Sequence, residues 1–116
     1  MVEVKFRTVV LYKNYFNDFY KKQTKKVKDK IVWTFKLIET TQQVPSEYLT
    51  HMDCTDSLYE IRMKQGSNIY RVFCFFDKGK IIVIINGFLK KTQKTPKSEI
   101  IKALRIKKEY ENEEEY

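Results

Sequence analysis

The spacing of hydrophobic positions along this chain changes three times, and the changes mark out its elements. Val2 to Leu11, VEVKFRTVVL, is rich in β-branched residues and partly alternates, which predicts a first strand. From Lys13 to Thr41 the period lengthens. Phe16, Phe19 and Tyr20, then Val27, Ile31, Phe35 and Ile38, recur at three- and four-residue spacing, with eight lysines over most of the other faces. This predicts a helical hairpin broken near Gln23 and Thr24, with Thr24 as the candidate N-cap. Pro45 and the polar residues up to Ser57 read as a loop.

Beyond that loop the period returns to two. In LYEIRMK, Tyr59, Ile61 and Met63 point to one side and Glu60, Arg62 and Lys64 to the other. Gln65-Gly66-Ser67-Asn68 predicts a turn. IYRVFCFF and KIIVIIN predict two further strands joined at Asp77-Lys78-Gly79, where Gly79 is free to take a left-handed conformation. Thr95-Pro96 has the chemistry of a helix start, a hydroxyl cap followed by proline, and Ile100, Ala103, Leu104 and Ile106 supply the buried stripe of a last helix. Its acidic end, residues 109–116, is expected to fray. The order strand, helix, helix, three strands, helix predicts a small α+β domain with an antiparallel-rich sheet. The N-terminal helical hairpin packs on one face, a C-terminal helix closes the chain, and the first strand pairs parallel to a later one.

Composition adds two constraints. At 116 residues and 42% hydrophobic, the chain is long and apolar enough for one domain, 1–116, with one core. Its formal charge of +8 is unevenly placed: all 23 basic residues fall within 1–108, against 10 of the 15 acidic ones, so that stretch alone carries +13. Such an excess attracts polyanions, because each neutralised phosphate releases counterions, although lysine-rich surfaces also serve solubility alone. Cys54 and Cys74 have neither zinc-type spacing nor the density of a disulfide scaffold and read as reduced thiols, Cys74 as a small buried hydrophobe. No apolar segment approaches the length of a membrane span, and no targeting segment follows Met1, so the expectation is a soluble, cytoplasmic protein.

The chemistry collects on the charged side of the meander. Glu60, Arg62 and Lys64 would share an open sheet face with Arg71 of the adjacent strand, and the segment after the last strand would place Lys90, Lys91 and Lys94 around the same hollow. Arginine offers a planar fork to phosphate, lysine a mobile charge, and Phe88 or Tyr70 a ring on which a base can stack. Cleavage of RNA through the ribose 2′-OH needs a base, cations on the pentacoordinate phosphorane and a proton donor for the departing 5′ oxygen. Glu60 is the candidate base, Arg62 and Arg71 the candidate clamps, and Lys90, Lys91 or Lys94 the candidate stabiliser or acid. The bland alternative is a solvated face carrying a cross-strand ion pair. His51, the one histidine, falls in the loop before LYEIRMK, where solvation is the ordinary fate; Trp33 reads as a core or partner-facing residue. No metal-ligand cluster, glycine-rich phosphate loop or Ser/His/Asp order is present, so no metal or cofactor is implied.

The segment from Leu58 to Glu111, containing LYEIR, YRVFCFF and NGFLKKTQKTP, resembles the RelE/HigB superfamily of type II toxin–antitoxin toxins, in its phage-related HigB-like branch. The resemblance implies a RelE-like fold and a metal-independent endoribonuclease that cleaves mRNA in the ribosomal A site and is neutralised by a cognate antitoxin protein. It places Arg62 and Arg71 at the family's basic strand positions, and Lys90, Lys91 and Lys94 in the basic segment after the last core strand. Glu60 matches a position where some relatives carry a carboxylate and others lysine. Asn86 matches a position the resemblance associates with histidine, and an amide cannot titrate. Lys64, Lys94, Asn86 and Phe88 are then the residues expected to bind RNA. Two other readings compete: a ParE-like inhibitor of DNA gyrase on the same fold, and an RNA-binding protein without catalysis.

Overall fold

The computed structural model describes residues 4–53, 55, 57–90 and 96–114. The elements run β1 (Thr8–Leu11), α1 (Tyr15–Tyr20), α2 (Lys25–Thr40), β2 (Leu49–His51), β3 (Tyr59–Gln65), β4 (Asn68–Asp77), β5 (Ile81–Lys90) and α3 (Lys97–Glu114). They build one five-stranded sheet in the order β1-β5-β4-β3-β2, with β1 parallel to β5 and the other neighbours antiparallel. The expected α+β architecture and parallel first strand are both present. That strand is shorter than predicted, because Arg7 turns its guanidinium onto the carbonyls of Ile38, Thr41 and Gln42 and ties the incoming chain to the end of α2.

Helix α2 forms where the spacing predicts it. Val27, Ile31, Thr34 and Ile38 are its buried residues, and the Thr24 hydroxyl accepts from the Val27 amide at 3.4 Å as N-cap. The helix lies with α1 on one face of the sheet, closing a core of Phe16, Val27, Ile31, Ile38, Ile61, Met63, Val72 and Ile84 among others. Gly87 lets this layer close: a Cβ there would stand 2.8 Å from the Phe19 ring. The loop before β3 contains an unpredicted edge strand, β2, with His51 opposite Tyr59.

The opposite face is not open along its whole length, as the alternation of LYEIRMK suggests. Helix α3 covers part of it with Ala103 and Ile106, forming a second core with Leu58, Phe73, Phe75, Val83 and Ile85. Strand β5 is therefore sandwiched between two helical layers, which explains why Ile81 to Ile85 is apolar at every position rather than at alternate ones. The acidic end begins inside the last helix. Helix α3 runs to Glu114; Glu109 is held by Lys13, Tyr12 and Tyr15, and Glu113 pairs with Lys13 at 2.9 Å. Tyr110 adds a hydrogen bond to Asp77 at 2.6 Å.

Candidate functional site

Strands β3, β4 and β5 bring three rows of side chains onto the α3 side of the sheet. Residues directly opposite in a ladder project to the same face. Glu60 is opposite Phe73 and Phe73 opposite Asn86; Arg62 is opposite Arg71 and Arg71 opposite Phe88; Lys64 is opposite Ile69 and Ile69 opposite Lys90. The first row lies against α3, since Asn86 donates from Nδ2 to Glu99 in that helix's first turn at 2.9 Å.

A β-bulge decides this arrangement. Phe73 pairs with Asn86 but Cys74 pairs with Ile84, so Ile85 is an extra residue on β5. Strict alternation from Ile82 and Ile84, which face α1 and α2, would send Asn86, Phe88 and Lys90 to that same apolar side. The added residue reverses the parity, putting Gly87 and Leu89 on the helical-hairpin side and Asn86, Phe88 and Lys90 beside the arginines. Lys90 is the last residue of β5, which extends four residues beyond the predicted end at Asn86.

At the centre Glu60 and Arg71 are buried, 3% and 5% exposed. Glu60 Oε1 accepts from Arg71 and also from Arg62 Nε at 3.0 Å. The solvated cross-strand ion pair is thus replaced by an enclosed carboxylate between two guanidinium groups, of which Arg62 remains about half exposed, at 46% of its side chain. Burial pushes Arg71 below its ordinary value. Lys90 is also lowered, first by desolvation and then by the Arg71 and Arg62 charges. Two buried polar atoms, Arg71 Nε and Asn86 Oδ1, have no hydrogen-bond partner among the described residues. An unpaired buried donor of this kind costs free energy unless an incoming group completes it.

Of the residues singled out in the sequence, Glu60, Arg62, Lys64, Arg71, Phe88 and Lys90 share one face. Asn86 shares it but is 1% exposed and braces α3 rather than facing solvent. Phe88 packs on Phe73 at 5.4 Å between centroids, partly exposed. Tyr70 is on the other face, edge-on to Phe19 in the first core, so it offers no stacking surface here. His51 is also turned to that other face, its ring 5.2 Å from Tyr59. Lys91 and Lys94, with Cys54 and Thr95, lie outside the described residues. Sequence reasoning missed Glu99, Lys30 and Tyr48. An acidic residue in a first helical turn is a recognisable signal for Glu99, whereas Lys30 is one of eight similar lysines and carries none.

A hollow of about 280 Å³ opens beside this cluster, its lining including Arg71, Arg62, Lys64, Lys30 and Tyr48. A second, of about 510 Å³, lies on the far side between β1, α1 and α2 and is lined mainly by Val9, Leu11, Phe16, Ile31, Val32 and Phe35. The second also carries Lys5, Lys36 and Glu39 on its lining, but arginines line only the first of these two. Among the described residues there is no group of three or more His, Cys, Asp or Glu able to hold a metal ion, and no helix long and apolar enough to cross a membrane.

The family model described as Phage derived protein Gp49-like matches residues 18–108, which include every described residue of the cluster. The chain belongs to this Gp49-like family. No curated protein matches it. The Gp49-like family is associated with the toxins of toxin–antitoxin systems, and it suggests an antitoxin as partner. The narrower RelE/HigB assignment rests on the sequence resemblance.

Proposed function

We propose that this protein is the toxin of a type II toxin–antitoxin pair, a RelE/HigB-type endoribonuclease that cleaves mRNA in the ribosomal A site in the cytoplasm and is held inactive by its antitoxin. The observation that carries the reading is the Glu60–Arg71–Arg62 cluster with Lys90 beside it, at the uncovered end of a sheet face. In the reaction the ribose 2′ oxygen attacks the neighbouring phosphorus, its proton passes to a base, the P–O5′ bond breaks and O5′ is protonated. A 2′,3′-cyclic phosphate and a 5′-hydroxyl result. Negative charge grows on the phosphorane oxygens, where pre-placed guanidinium groups stabilise it without a metal ion.

Glu60, the candidate base in the sequence, is here given a different role, holding Arg71 and Arg62 in position, since its Oε1 receives both. Arg62, half exposed, is the arm that meets the phosphate. Lys90 is suited to protonate O5′, because its lowered pKa makes it a stronger acid than an ordinary lysine. Phe88 and Lys64 contact the adjoining nucleotide.

Induced expression followed by transcript 5′-end mapping tests the reading. In-frame cuts within translated regions are expected, with Lys90→Ala and Arg62→Ala each lowering the cleavage rate by about 100-fold. Growth arrest with intact transcripts would instead favour a gyrase-directed toxin.

A further inference from the structure

The basic hollow does not end at the cluster. Past β2, the ladder on that side of β3 stops, and the Arg62 amide is capped by the Tyr48 carbonyl at 2.9 Å. Tyr48 is thereby fixed beside Arg62, and its ring stands edge-on to Trp33 of α2 at 6.0 Å and 66°. Trp33 is 48% exposed, on a different side of α2 from the buried Thr34 that follows it. Lys30 bridges the two features: it lines the hollow with Arg62, Lys64 and Arg71, and its ammonium lies 4.4 Å from the centre of the Trp33 ring. Four cations and Glu47 line the hollow, with Arg62 and Arg71 also paired to the buried Glu60.

The half-exposed indole of Trp33 stands beside Lys30 and Tyr48 of the basic groove and offers ring surface to an incoming group. It is well suited to a nucleobase. Every base has a π-face, so an aromatic platform beside a cationic track holds single-stranded nucleic acid with little regard to sequence. Lysine on the ring also draws the site together electrostatically.

We infer that Trp33 and Tyr48, with Lys30 and Lys64, form a second nucleotide subsite in which a base of single-stranded RNA, one step or more along the strand from the Arg62–Arg71 cluster, stacks on the Trp33–Tyr48 pair. The inference rests on the RNA-directed reading of that cluster. It makes Trp33 a positioning residue that holds the strand while the cluster contacts phosphate.

Trp33 is the only tryptophan, so its emission reports on this site alone. The probe is a 2′-O-methyl octa-adenylate, which lacks the attacking hydroxyl and separates binding from cleavage, used at about 50 mM salt where phosphate contacts are strong. Saturable quenching of Trp33 is expected, with the same midpoint as the anisotropy of an end-labelled oligomer. By anisotropy Trp33→Leu should bind about tenfold more weakly, and Trp33→Phe should recover most of the loss. If the oligomer binds and Arg62→Ala weakens it, yet emission is unchanged and Trp33→Leu binds like the parent, the subsite is overturned and the RNA reading of the cluster survives. If the oligomer does not bind at all, both are overturned.

Discussion

The two faces of the sheet are made by the same three strands and do opposite work. Towards α1 and α2, Ile61, Met63, Val72, Ile82 and Ile84 are buried in an apolar layer. Towards α3, the same strands present apolar residues at one end and Glu60, Arg62, Lys64, Arg71 and Lys90 at the other. The first face supplies stability by area removed from water; the second spends part of that stability on charges held away from water. Burying Glu60 and Arg71 is tolerable because each neutralises the other and because a fully covered face lies directly behind them.

Substitutions should separate the two faces, and the largest effect falls on the buried pair. Arg71→Ala leaves the buried Glu60 carboxylate with only the half-exposed Arg62 and should lower unfolding free energy by about 3 kcal/mol in urea titrations. The apolar pair Glu60→Leu with Arg71→Met should cost less than that single change while abolishing cleavage; a double variant as unstable as the single one would mean the ion pair itself stabilises the fold. Next comes Gly87→Ala on the apolar face. Its new methyl group would press into the Phe19 ring, so stability should fall by about 1–3 kcal/mol, with RNA affinity per folded molecule unchanged. Arg62→Ala should do the reverse: a stability change under about 1 kcal/mol, since the residue is half exposed, and a salt dependence of RNA binding reduced by about one charge.

The smallest effect concerns the far end of α3. Lys13 and then Tyr15 hydrogen-bond to Glu109 and hold its carboxyl below the usual glutamate range, and Lys13 does the same for Glu113. A carboxylate whose folded pKa is depressed contributes stability above its unfolded pKa and loses it as pH falls through the folded value. Tm should therefore decline as pH drops below about 4.3, and less steeply in Lys13→Met, where the partner charge is gone. Parallel declines in the two proteins would show that this anchor contributes nothing.

Much of this arrangement was readable in advance, for reasons that differ from residue to residue. The i, i+4 spacing of Val27 and Ile31 requires a helix wherever they sit, and the Thr24 cap follows from hydroxyl chemistry alone. The alternation of LYEIRMK likewise put Glu60, Arg62 and Lys64 on one side. What it could not contain was depth. Glu60 and Lys64 are equivalent in pattern, yet one is buried and the other exposed, because the α3 side is covered near Glu60 and open near Lys64. Tyr70 and Trp33 make the same point in reverse, the first enclosed by Phe19 and the second left about half exposed beside Lys30 and Tyr48.

Local order, the period of each segment, its caps and turns, and the surplus of positive charge were properties of the chain alone, since each depends on residues a few positions apart. The direction taken by Asn86, Phe88 and Lys90 was not. It depends on one extra residue at Ile85, and a bulge exists only relative to the partner strand that fails to match it. Without β4 alongside, nothing distinguishes a strand that delivers Lys90 to the arginines from one that delivers it to the apolar face.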